Sequence, residues 1–72
     1  MNEEIHIGRI IQAKMKADGR SARWLARQLH CTSSNIYKLY EKPSIDTNLL
    51  LHLAQLLQVD FFTYYSNVLK ER

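Results

Sequence analysis

Residues 21–41 read SARWLARQLHCTSSNIYKLYE, and the reading of this stretch decides the fold. Ala22, Leu25, Ala26 and Leu29 recur at helical spacing and give one narrow apolar face. Ser21 stands just before them, where its hydroxyl is placed to accept from the free amides of a first turn. Arg23 and Arg27, four residues apart, share a different face. His30 and Cys31 interrupt the pattern, and Thr32 is the next predicted N-cap, with Ser33, Ser34 and Asn35 in the turn that follows. Ile36, Leu39 and Tyr40 are spaced to face a core, which leaves Tyr37 and Lys38 pointing elsewhere. The stretch is therefore two short helices joined by about three residues. A small residue at position 26 allows the helices to approach closely, and a wide crossing leaves one face of the second helix free.

The pattern extends in both directions. Ile5, Ile7, Ile10, Ile11 and Met15 recur at helical spacing, and Asp18-Gly19 ends that stripe, because glycine takes the left-handed cap conformation without a Cβ clash. After residue 41 comes a loop, Lys42-Pro43-Ser44, since proline disfavours helix at the residue before it. Asp46 or Thr47 then caps a strongly apolar helix with Leu49, Leu50, Leu51, Leu53, Ala54, Leu56 and Leu57. Val59-Asp60 breaks it, and Phe61, Phe62, Tyr64, Tyr65, Val68 and Leu69 predict a last helix. The expected architecture is all-α, a compact five-helix bundle occupying residues 1–72 as one domain.

Composition agrees with this reading. Seventy-two residues cannot bury a large core, and two Gly and one Pro leave little material for hairpins. A single Cys forms no internal disulfide, which points to a reducing compartment. No apolar run approaches the ~18 residues of a membrane span. The acidic start, Met1-Asn2-Glu3-Glu4, lacks the basic and apolar regions of a signal peptide. The expectation is a cytoplasmic chain without a membrane segment, cofactor or evident small-molecule ligand. No effector domain is expected after residue 66.

Charge is unevenly placed. Residues 5–42 carry eight bases (Arg9, Lys14, Lys16, Arg20, Arg23, Arg27, Lys38, Lys42) against Asp18 and Glu41. Residues 43–72 set Asp46, Asp60 and Glu71 against Lys70 and Arg72. A basic half beside a nearly neutral, leucine-rich half directs the first toward a polyanion; the bland alternative is a solvated surface that keeps the chain soluble.

The pattern Ile7-Gly8, then Ser21, Leu25-Ala26, Leu29, Thr32, Ile36 and Leu39, then Leu50, Leu53-Ala54, Leu57 and Val59 resembles the Cro and repressor type of helix-turn-helix domain, the XRE-like family. The resemblance spans residues 5–66, and its specificity lies in the joint spacing. It implies a lambda-repressor-like fold with the helix-turn-helix at 21–41, double-stranded DNA as partner, and a homodimer acting in bacterial or phage transcription regulation. Four positions depart from the family. Ala22 stands where glutamine is frequent, and His30 where glycine is frequent in the turn. Met15 and Tyr40 stand where many members pair an arginine with a glutamate, and the two are expected to pack together.

Carried over by position, the resemblance implies base reading by Ser33, Ser34, Asn35, Tyr37 and Lys38 on a recognition helix at about 33–40, with Thr32 at its start. Lys38 suits guanine O6 and N7, and Asn35 suits adenine. Ser33 and Ser34 are short enough to meet phosphate instead, and Tyr37 suits a sugar or a thymine methyl. Phosphate candidates are Arg20, Ser21, Arg23, Arg27, Thr32 and Lys42, with free amides near Ser21 and Ala22 adding a dipole-favoured site. Arg9, Lys14 and Lys16 are expected to face solvent. Leu51, Leu56, Phe62, Tyr65 and Leu69 exceed what one thin core needs and are the dimer candidates.

Other residues carry less. Cys31 beside His30 has no second Cys or correctly spaced His to complete a metal site, and no nucleophile, base and orienting group can be assembled, so the chain reads as a non-enzyme. Cys31 is expected as a small buried turn residue, and Trp24 as core or rim packing. Two rival readings stand. One is a protein-interaction module on the same fold that has lost DNA binding, motivated by Ala22 and the Ser33-Ser34 pair. The other is a single-strand or RNA binder using Tyr37 and Trp24.

Overall fold

A computed structural model describes residues 5–71; the acidic start at 1–4 and Arg72 lie outside the described residues. Five helices follow in order: α1 (Ile7–Ala17), α2 (Ala22–Leu29), α3 (Ser33–Tyr40), α4 (Thr47–Leu57) and α5 (Phe62–Lys70). No strand occurs among the described residues.

Each helix begins and ends for a local reason. Oγ of Ser21 accepts from the Trp24 amide at 3.1 Å, and Oγ1 of Thr32 accepts from the Asn35 amide at 3.3 Å. Asp46 accepts from the Leu49 amide at 2.8 Å, so Asp46 is the cap and Thr47 the first helical residue. Three chain reversals use the left-handed region: Gly19 at φ 69, His30 at φ 57 and Gln58 at φ 57. At the second, the amide of Cys31 closes back on the Ala26 carbonyl at 2.9 Å, which ends α2 and turns the chain directly into Thr32. Histidine tolerates this conformation at a cost that glycine would not incur.

One apolar cluster joins the helices: Ile7, Ile11 and Met15 from α1; Leu25 and Ala26 from α2; Ile36, Leu39 and Tyr40 from α3; Leu50, Leu53 and Leu57 from α4; and Phe61. Met15 and Tyr40 are both buried in this cluster. Gly8 lets α1 meet the end of α3. A Cβ there would lie 2.6 Å from the Leu39 carbonyl oxygen and 2.7 Å from that of Lys42, and closer still to that of Tyr40. The approach is used: the amides of Ile7 and Gly8 donate to the carbonyls of Pro43 (3.0 Å) and Lys42 (2.9 Å). The loop after α3 thus caps the start of α1.

The structure departs from the sequence reading in a few places. Ile5 is half-buried but precedes α1, because His6 caps that helix through Nδ1, accepting from the Arg9 amide. Phe61 is not in the last helix. It is fully buried just ahead of α5, and Asp60 accepts from the Phe62 amide at 3.0 Å. Lys14 does not simply face solvent; it pairs with Asp18 at 3.1 Å, one turn on. Cys31, expected as a buried turn residue, is half-buried.

Candidate nucleic-acid interface

The side of α3 opposite Ile36, Leu39 and Tyr40 is open. Ser34, Asn35, Tyr37 and Lys38 are all exposed, while Ser33 is half-buried. Tyr37 has 59% of its surface exposed, and its ring meets that of buried Tyr40 at 6.1 Å and 82°. Burial, reinforced by the neighbouring Tyr37 hydroxyl, holds the Tyr40 phenol above its ordinary pKa, so it stays neutral.

Helix α2 packs against α3 and holds Arg23 and Arg27 exposed, four residues apart. Lys42 is exposed in the loop where α3 ends, and Glu41 is the exposed acid beside it. Arg20 is also exposed, but its guanidinium lies 4.2 Å over the ring of Trp24, a cation–π contact. Trp24 is half-buried against the core beneath it, as expected for rim packing. Arg20 further borders a polar cleft with Lys14, Asp18, Leu56, Leu57 and Gln58.

Helix ends sort by their caps. Asp46 and Asp60 place carboxylates at the starts of α4 and α5, neutralising the positive ends of those helices. The start of α1 is filled by the carbonyls of residues 42 and 43. The starts of α2 and α3 instead carry the neutral hydroxyls of Ser21 and Thr32, and neither has an acid in its first turn. The amides of Ala22, Arg23, Ser33 and Ser34 have no acceptor among the described residues. The two helices with open positive ends are therefore those that carry Arg23, Arg27 and Lys38.

The dimer candidates divide. In α5 no residue is fully buried; Phe62 and Tyr65 are half-buried, and Leu69 is 67% exposed. Phe62 and Tyr65 line an apolar groove of about 340 Å³ with Ser44, Ile45, Thr47 and Leu50. Leu51, 49% exposed, lies one turn from Thr47 on the same flank of α4. Leu56 belongs to the opposite flank, at the cleft with Arg20. Exposed Tyr64, absent from the sequence-derived set, also lies on α5.

No group of three His, Cys, Asp or Glu side chains is placed to hold a metal among the described residues, and no helix there is long and apolar enough to cross a membrane. Comparison with known proteins finds no matching family model, no matching curated protein and no matching solved structure.

Proposed function

We propose that the chain is a small transcriptional regulator that binds double-stranded DNA sequence-specifically, with α2 and α3 acting as a helix-turn-helix. The observation that carries this reading is the open outer face of α3. It offers two donors or acceptors (Ser34, Asn35), an aromatic ring (Tyr37) and a cation (Lys38) on a rigid eight-residue helix whose other side is core. A helix of this width fits the major groove, and mixed polar side chains on its outer face are what base edges select. Arg23, Arg27, Lys42 and the open amides at the starts of α2 and α3 supply phosphate contacts that fix its register. Leu51, Phe62, Tyr65 and Leu69 supply apolar surface for a two-fold homodimer. That dimer sets two α3 helices about 34 Å apart, one turn of DNA. Stacking on single strands is less favoured, because Trp24 is half-buried with Arg20 over its ring.

Binding to mixed duplex DNA at two salt concentrations tests this. Affinity falls steeply with salt, and Arg27→Ala lowers the slope by about one. Lys38→Ala weakens a preferred duplex by about tenfold and relaxes its specificity. Absence of duplex binding at low salt overturns the reading in favour of a protein-interaction module.

A further inference from the structure

The duplex-binding reading leaves open what Tyr37 does, and the ring geometry narrows it. Ser33 and Ser34, one turn earlier on α3, are short and leave the Tyr37 ring 59% exposed beside them. Exposed tyrosines ordinarily sample several rotamers, and ordering them on binding has an entropic cost. Here the ring rests edge-to-face against Tyr40, at 6.1 Å between centroids and 82° between planes. Tyr40 is only 6% exposed and belongs to the core cluster. Tyr37 therefore leans on a core side chain, which restricts its rotamers before any ligand arrives.

A ring aimed into the major groove of an intact duplex cannot stack on base faces, which are covered by their neighbours. It meets base edges, and the apolar group on those edges is the C5-methyl of thymine. We infer that Tyr37 recognises a thymine by its methyl group, and that Tyr40 is the positioning residue that holds the Tyr37 ring for that contact. The inference rests on the duplex-binding proposal and assigns one element of its specificity.

Uracil pairs as thymine does but lacks the methyl, so it isolates this contact. The full chain is used to select a preferred duplex from a random pool, and each thymine in that duplex is replaced singly by deoxyuridine. Anisotropy at fixed salt then gives the thymine-to-uracil affinity ratio at each position. One position in each half-site shows a ratio of about four, the effect of leaving one methyl unburied. Tyr37→Ala brings that ratio to one and leaves the salt slope unchanged. Tyr40→Phe, which keeps the ring, preserves the ratio, and Tyr40→Leu lowers it in protein shown to be folded by its thermal transition. Ratios of one at every thymine in a duplex that still binds with a steep salt slope overturn the inference alone. So does a ratio that survives Tyr37→Ala, an exposed substitution that does not threaten the core. A ratio unchanged in folded Tyr40→Leu removes the positioning role. Failure to bind any duplex overturns this inference and the proposal beneath it together.

Discussion

Replacing Gly8 by alanine sets two opposing effects against each other, and the structure decides which wins. In an isolated helix the change is favourable by about 1 kcal/mol, because alanine is the better helix former. Gly8, however, is buried in α1 against the backbone at the end of α3. Its new Cβ would stand 2.6 Å from the Leu39 carbonyl oxygen and 2.7 Å from that of Lys42, where ordinary contact begins near 3.4 Å. These neighbours are backbone atoms and cannot rotate away. Relief requires α1 and the 39–42 segment to part by several tenths of an ångström. That motion strains the bonds from the Ile7 and Gly8 amides to the carbonyls of Pro43 and Lys42. Losing both costs about 2 kcal/mol, and overpacking adds about 1–3 kcal/mol. The net expectation is a destabilisation of about 2–4 kcal/mol, a large share of the total for a domain of this size. Urea unfolding followed by circular dichroism measures it, with Ala13→Gly at an exposed α1 position as the propensity control. A Gly8→Ala variant as stable as the parent, or more so, would refute the claim that α1 and α3 meet through this missing carbon.

His30→Gly raises stability by about 1 kcal/mol, since φ 57 is costly for histidine and free for glycine; an unchanged urea midpoint contradicts the turn geometry. Phe61→Ala costs about 3–5 kcal/mol and loosens α5 first, because that helix buries no residue of its own; hydrogen exchange as slow in α5 as in α3 of the variant argues otherwise. Burial raises the Tyr40 pKa in the folded state, so its contribution is complete below the unfolded value of about 10 and is lost as pH rises through the folded value. The thermal midpoint therefore falls above pH ~10 less steeply in Tyr40→Phe than in the parent, and parallel profiles count against it.

Local chemistry was readable along the chain, and contacts between distant segments were not. Ser21, Thr32 and Asp46 declare themselves as caps because a short oxygen-bearing side chain next to an apolar period has one favourable role. The outer face of α3 follows from helical geometry once Ile36 and Leu39 are assigned inward. Gly8 was visible only as part of a family-like pattern; its reason lies in carbonyls more than thirty residues away. Gln58 gave no signal for its left-handed φ, since glutamine seldom adopts it; the turn is imposed by the chain reversing to bury Phe61. Arg20 reads as a free cation until Trp24 is seen beneath it. Leu51 and Leu56 look equivalent as surplus leucines, and only the burial of Leu50, Leu53 and Leu57 between them assigns the two to opposite flanks.

The hydroxyl caps of α2 and α3 have a consequence for how far this domain can be improved. Aspartate at position 21 or 32 would satisfy the same amide and also complement the helix dipole, by about 0.3–1 kcal/mol each. The chain makes that choice at Asp46 and Asp60 but not at Ser21 or Thr32. If the duplex-binding proposal holds, tightening the fold there would plant a negative charge where that proposal puts a phosphate, and thermostability and grip on a polyanion would pull against each other at these two residues.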